Sequence, residues 1–134
     1  GAIIVNNDEI VSSGYNGAPR GRQNCIDTGI CIREQLGIPR GERYEVCRSV
    51  HAEANAIISA SRKEMLGGTL YLVGKDARTG QYVENPSSCS MCKRLIINAG
   101  ISRVVVRLDE QNYKEIPVFQ WIEEDESLHG VFGY

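Results

Sequence analysis

Three stretches of the chain carry residue types able to do chemistry. His51 and Glu53 stand two apart in VHAEANAI, Cys89 and Cys92 stand three apart in NPSSCSMCKRLIINAG, and Cys25, Cys31 and Cys47 are scattered upstream of His51. A C-x-x-C pair at a helix start serves as a redox couple, as half of a structural zinc site, or as two jaws of a catalytic metal site. The choice turns on its partners. Residues at i and i+2 do not share a face of a regular helix, but from a first helical turn both side chains reach a ligand lying over the helix end. If the two helices lie side by side in a βαβ arrangement, His51, Cys89 and Cys92 converge on one tetrahedral metal. One nitrogen and two thiolates leave a fourth corner for water, which is the open arrangement of catalytic zinc rather than the closed shell of structural zinc. Zinc lowers the pKa of its water from about 15.7 towards about 7, and Glu53, beside the metal but not on it, is suited to carry that proton to a leaving group. A redox pair would leave His51 and Glu53 without a task. A zinc-stabilised interaction module would leave Glu53 without one.

The elements that must position these residues are read from periodicity. GAIIVNNDEIVSSG gives two short strands, Ala2–Val5 and Glu9–Ser13, joined by a turn at Asn6-Asn7-Asp8. Gly14 to Gly21 is a glycine-rich loop of the irregular kind that carries function. CIREQL suggests a short helix and GIPRGERYE a surface connection. Val50, Ala54, Ile57, Ile58 and Ser61 fall on one helical stripe, with Ser49 as its N-cap and Gly67-Gly68 as its stop. TLYLVG is a buried strand, with a small hairpin expected around Thr79-Gly80. A helix from Cys89 to Asn98 presents Cys92, Leu95, Ile96 and Ala99 inward and ends at Gly100. RVVVRL is another strand, and PVFQWIEEDESL a last helix beginning near Pro117 or Val118. Helices alternating with strands after an opening hairpin predict a three-layer α/β/α domain on a mixed sheet, a single domain over 1–134.

Bulk properties narrow the classes. The chain has 134 residues, 42% hydrophobic and 24% charged, with a formal net charge of −2. That balance gives no electrostatic reason to expect nucleic acid, and it argues against a tRNA substrate. No apolar run approaches the roughly 18 residues of a membrane span, and no secretory signal opens the chain, so the expected home is the cytoplasm. Five cysteines in such a chain favour metal or catalytic thiolates over a disulfide framework.

A histidine, one residue, a glutamate, and a later C-x-x-C is the pattern of zinc-dependent nucleobase deaminases. HAEANAI, CSMCKRLIINAGI and the upstream GYNGAPRG together resemble the deoxycytidylate (dCMP) deaminase family of the cytidine deaminase-like superfamily, over roughly Gly1 to Val106. The GYNG loop and Asn55 point to the dCMP branch. The resemblance implies a sheet of about five strands, zinc on His51, Cys89 and Cys92, and Glu53 as proton shuttle. It implies substrate contacts from Asn16, Ala52 and Ser87, with Asn16 on the sugar. The loop bearing Gly14, Tyr15, Gly17, Arg20 and Arg22 corresponds to the phosphate or effector region, where regulated members bind dCTP or dTTP. Relatives are commonly hexamers, and some carry a second, structural zinc in the insert. Here that zinc would draw on Cys25, Cys31 and Cys47, with His129 or a residue preceding this chain as fourth ligand; the alternative is three small buried thiols. Arg20 and Arg22 suit a 5′-phosphate, Tyr113 and Lys114 less so. Trp121 is expected in the core or at a subunit interface, and Glu123–Glu126 on a solvated face.

Three departures from the family pattern stand out. Ser88 occupies the position before the first cysteine where relatives have proline, Pro86 lying two residues earlier. The chain opens at the first strand, without the preceding helix of relatives. Residues 107–134 match no part of the pattern. The expected reaction is hydrolysis of dCMP to dUMP and ammonia, with cytidine, a pterin or flavin precursor, or tRNA adenosine as rival substrates.

Overall fold

The computed structural model describes residues 1–129. Its strands are β1 (Ala2–Asn6), β2 (Glu9–Gly14), β3 (Thr69–Val73), β4 (Arg103–Arg107) and β5 (Tyr113–Pro117). They form one mixed sheet in the order β2-β1-β3-β4-β5, in which only β3 and β4 run parallel. Asn7 and Asp8, both at positive φ, close the β1–β2 hairpin as the sequence predicts. The helices are α1 (Cys25–Thr28), α2 (Ile32–Gln35), α3 (Ala52–Ile58), α4 (Arg62–Met65), α5 (Ser90–Ala99) and α6 (Val118–Glu123).

Strand register sorts the two faces of the sheet. Ser12, Ile4, Leu70, Val104 and Ile116 stand opposite one another across the five strands. Ile4, Leu70 and Val104 on that row are fully buried, and they join Ala52 and Ala56 of α3, Ile96 and Ala99 of α5, and Val118 of α6 in one core. Each large aliphatic side chain so buried contributes roughly 1.5–3 kcal/mol. One residue along, Ser13, Ile3, Tyr71, Val105 and Glu115 form the row on the other face. Ile3 and Tyr71 there remain 40% and 41% exposed. The α/β class and the five-stranded mixed sheet with helices are as expected.

Several expected elements shift. The long helix predicted after Val50 is two short ones, because Ser61 starts α4 with its own capping box to Glu64. His51, not Ser49, is the N-cap residue of α3, and the buried positions are Ala52, Glu53 and Ala56 rather than the Ala54–Ile58 stripe. Ile58 and Leu95, both assigned inward from sequence, are exposed. Cys89 caps α5 rather than opening it, and Cys92, Ile96 and Ala99 form its buried stripe. Gly100, at φ 78°, ends α5 in the left-handed conformation that glycine adopts without strain. β5 has no counterpart among the predicted strands. It is an edge strand of mostly exposed side chains, which carry no alternating apolar signal.

Candidate active site

Two short-range devices bring the chemistry together. α3 packs on β1 and β2 and lies against α5. It approaches closely because Ala52 and Ala56 face the sheet and Gly14 has no side chain. A Cβ at Gly14 would overlap the Ala52 carbonyl and stand 2.5 Å from the Ala56 nitrogen. Ser12 Oγ adds a hydrogen bond to the Ala56 carbonyl at 2.7 Å. α5 is the crossover between the parallel strands β3 and β4, so its first residues emerge beside the end of β3.

The N-terminal ends of α3 and α5 thereby meet. His51 Nδ1 lies 3.3 Å from Cys89 Sγ and 3.5 Å from Cys92 Sγ. Among the described residues these three form the one group whose potential ligand atoms all lie within 4.8 Å of one another. The donor set can be tested against zinc. Zn–S and Zn–N bonds of about 2.3 and 2.05 Å at a tetrahedral angle put sulfur and nitrogen about 3.5 Å apart. The distances found therefore fit the ion. Glu53, buried at 5% exposure, is outside that trio but close enough to Cys92 to disfavour its thiolate.

The proton inventory of the metal-free cluster follows from these contacts. Cys89 is pulled down to about 4, chiefly because its sulfur accepts a hydrogen bond from Cys92 and secondarily from His51. Cys92 is pushed up by the same hydrogen bond, by burial and by Glu53. The imidazole of His51 is raised to about 10 by its contacts with Cys47 and Cys89. Without metal, the site is a thiolate, a thiol and an imidazolium.

A cavity of about 320 Å³ opens onto the cluster. His51, Glu53 and Cys89 line it together with Asn16, Ala52 and Ser87, which gathers all three expected substrate residues. Asn16 has a further duty: its Oδ1 accepts the Ala52 N–H at 2.7 Å, capping α3 from outside the helix. Asn55 holds the same loop by donating to the Tyr15 carbonyl at 2.8 Å. A larger hollow of about 760 Å³ lies on the uncovered sheet face between Ile3, Tyr71 and Tyr113 and touches no histidine or cysteine.

The remaining expected residues are placed elsewhere. Gly14 abuts α3, Gly17 pairs with Val50 in an isolated bridge, and Tyr15 is exposed. Arg20 and Arg22 are exposed in a turn and do not line the cavity. Lys114 and Trp121 border a groove between α5 and α6, Trp121 with Lys93 over its ring. Cys25, Cys31 and Cys47 do not gather into a metal-binding group. Cys25 Sγ lies 3.9 Å from both Ser49 Oγ and Arg48 Nη1, Cys31 caps α2, and Cys47 turns to His51. The side chain of His129 lies outside the described residues. Ser88, which replaces the family proline, is buried, and its Oγ has no hydrogen-bond partner among the described residues.

Sequence reasoning missed Arg33, Arg40 and Tyr44, which also line the cavity. They lie in the segment read as a short helix and a surface connection, and only their charge and their nearness to His51 in sequence hinted at them.

Residues 1–108 match the cytidine and deoxycytidylate deaminase zinc-binding region. The chain is 34% identical over 110 residues to a deoxycytidylate deaminase of Mycobacterium phage D29, covering 78% of this chain and 74% of that one. It is 33% identical over 112 residues to the human deoxycytidylate deaminase, covering 82% of this chain and 53% of that protein. A crystal structure of dCMP deaminase from the cyanophage S-TIM5, in apo form, aligns over 82% of this chain and 66% of that one, with 26% identity and a TM-score of 0.49. No described helix is long and apolar enough to cross a membrane. With a zinc-compatible trio at the meeting of two helix ends, and with a family match over most of its length, the chain belongs to the cytidine and deoxycytidylate deaminases, a family of hydrolytic enzymes.

Proposed function

We propose that this protein hydrolyses dCMP to dUMP and ammonia, in the service of pyrimidine deoxynucleotide supply. The observation that carries the reading is the His51, Cys89 and Cys92 trio beside a buried Glu53, with His51, Glu53 and Cys89 lining one cavity. Relatives named as deoxycytidylate deaminases support the choice of substrate. When bound on the trio, zinc supplies a water-derived nucleophile at neutral pH. The chain's own residues do the rest. Glu53 would take one proton from water and deliver it to N3 of the cytosine, then carry the second, from the hydroxyl added at C4, to the departing amine. Its burial keeps bulk water from competing for that proton. Asn16, whose Oδ1 is committed to the Ala52 amide, offers Nδ2 to the deoxyribose. The backbone at Ala52 and Ser87 borders the base.

Control by dCTP or dTTP, a hexameric assembly and a cytoplasmic location belong to the same reading. The test is ammonia release from dCMP, CMP, deoxycytidine and cytidine, together with zinc content by elemental analysis. Preferential turnover of dCMP with at least one zinc per chain is expected. Turnover of nucleosides but not of dCMP sinks the substrate, and bound zinc without any deamination sinks the activity.

A further inference from the structure

His51 is held from more than the metal side. Its Nδ1 faces Cys89 and Cys92 at 3.3 and 3.5 Å. The rest of the ring is flanked by residues between α2 and α3 for which the reaction as described has no task. Tyr44 meets the His51 ring edge-on, with centroids 5.0 Å apart and planes at 85°. Cys47 is a hydrogen-bond partner of the His51 side chain but stands outside the trio of candidate ligands. Both line the cavity beside His51.

These two residues are themselves fixed. They bracket a single turn of 3-10 helix, Tyr44–Val46, in which the Cys47 N–H donates to the Tyr44 carbonyl at 3.0 Å. Arg43 enters that turn at φ 50°, in the left-handed region that a residue with a side chain occupies at a cost. Contacts, not local propensity, therefore hold the turn. Arg33 lies 4.2 Å over the Tyr44 ring and donates to the Pro39 and Glu42 carbonyls at 2.6 to 3.2 Å. The Gly41 N–H donates to Tyr44 Oη at 3.3 Å. Arg40 ties the same insert to the carbonyls of Glu84 and Asn85, in the segment leading to Cys89, at 2.7 and 3.2 Å.

An imidazole that offers Nδ1 to a metal keeps its proton on Nε2, and that N–H needs an acceptor. A ring without lateral support also rotates, and rotation carries Nδ1 off the ion. We infer that Cys47 and Tyr44 are positioning residues for His51, Cys47 accepting from the proton-bearing side of the ring and Tyr44 blocking its rotation, and that together they set how tightly the site holds zinc. The inference deepens the zinc part of the proposed function and is independent of which nucleotide is deaminated. It gives Cys47 a task that needs no second metal.

The test is the zinc affinity of the full chain, by competition with a chromophoric chelator, alongside the visible absorption of the cobalt(II)-substituted protein. Cys47→Ala and Tyr44→Leu should each weaken zinc about tenfold, and the double variant about a hundredfold. Each should also shift the cobalt ligand-field bands, because the imidazole is no longer held at one angle. Cys47→Ser keeps an acceptor and Tyr44→Phe keeps the ring, so both should stay near wild type in affinity and bands. Wild-type affinity and bands in Cys47→Ala and Tyr44→Leu overturn the inference. A loss that the serine and phenylalanine variants share, or a loss with unshifted bands, overturns it as well, since the residues then only brace the insert. Departure of one of two zinc ions per chain in Cys47→Ala makes Cys47 a ligand and has the same effect. A wild-type chain that binds no zinc removes the proposed function and the inference together. Zinc bound without turnover of dCMP sinks the proposed function alone, and the affinities and bands still decide the role of Cys47 and Tyr44.

Discussion

The protein has two cysteine-bearing regions, and they are built on different terms. Cys89 and Cys92 sit at the start of a ten-residue helix whose buried face is locked to the sheet, and both are buried. Cys25, Cys31 and Cys47 sit on or beside helices of three or four residues with no buried positions, and all three are only partly covered. The first pair is positioned by elements that would exist without it. The second set depends on a segment held mainly by arginine-to-carbonyl contacts. Clustering of metal ligands follows rigid support and not the number of cysteines.

Substitutions can break or sharpen that contrast, and the largest effect belongs to the supported region. Glu53→Gln should lower kcat/KM for dCMP about a hundredfold to ten-thousandfold while zinc content stays at the wild-type level. Loss of metal in that variant would make Glu53 a ligand and redraw the site.

Zinc uptake should be steeply pH-dependent. At pH 7 the metal-free trio holds protons on His51, raised to about 10, and on Cys92, also raised, but not on Cys89, lowered to about 4. Binding must expel about two protons, so affinity rises about a hundredfold per pH unit through the window between those two values. Titration in buffers of different ionisation enthalpy counts the protons, and a count near zero contradicts the inventory.

Next comes the support itself. Gly14→Ala places a methyl group against α3 backbone and should cost about 3 kcal/mol in urea denaturation. An unchanged midpoint would mean that α3 does not need this approach. Ser88→Ala works the other way. Removing a buried hydroxyl without a partner should raise stability by about 1 kcal/mol, and a loss would reveal a partner for Oγ.

The smallest effect is expected in the insert. Cys31→Ser keeps an N-cap of good type on α2 and should change stability by less than about 0.5 kcal/mol. Its zinc content, by elemental analysis, should equal that of wild type. A fall of one zinc per chain would show that the three insert thiols assemble when metal arrives.

What was legible in the sequence divides along the same line. His51, Glu53, Cys89 and Cys92 could be found because chemistry restricts both their types and their spacing. Strands β1 to β4 could be found because one face of the sheet is buried by helices and their apolar residues recur accordingly. The phase of α3 could not, since a buried glutamate, Glu53, occupies an inward position and exposed Ile58 mimics a core residue. β5 was hidden for the opposite reason: Tyr113, Lys114 and Glu115 are exposed, so burial left no mark on their order. Arg33 and Arg40 were passed over because their value comes from the fold. Glycine neighbours drew attention to Arg20 and Arg22, whereas proximity to His51 is created only when the insert closes over the cavity.

One consequence remains in the hydrogen bond from Ala52 to Asn16. The acceptor belongs to the cavity wall and the donor to the helix that carries Glu53. If Nδ2 of Asn16 holds the substrate as proposed, ligand binding should steady its carboxamide and slow solvent exchange of the Ala52 amide, making one backbone proton a clock of occupancy.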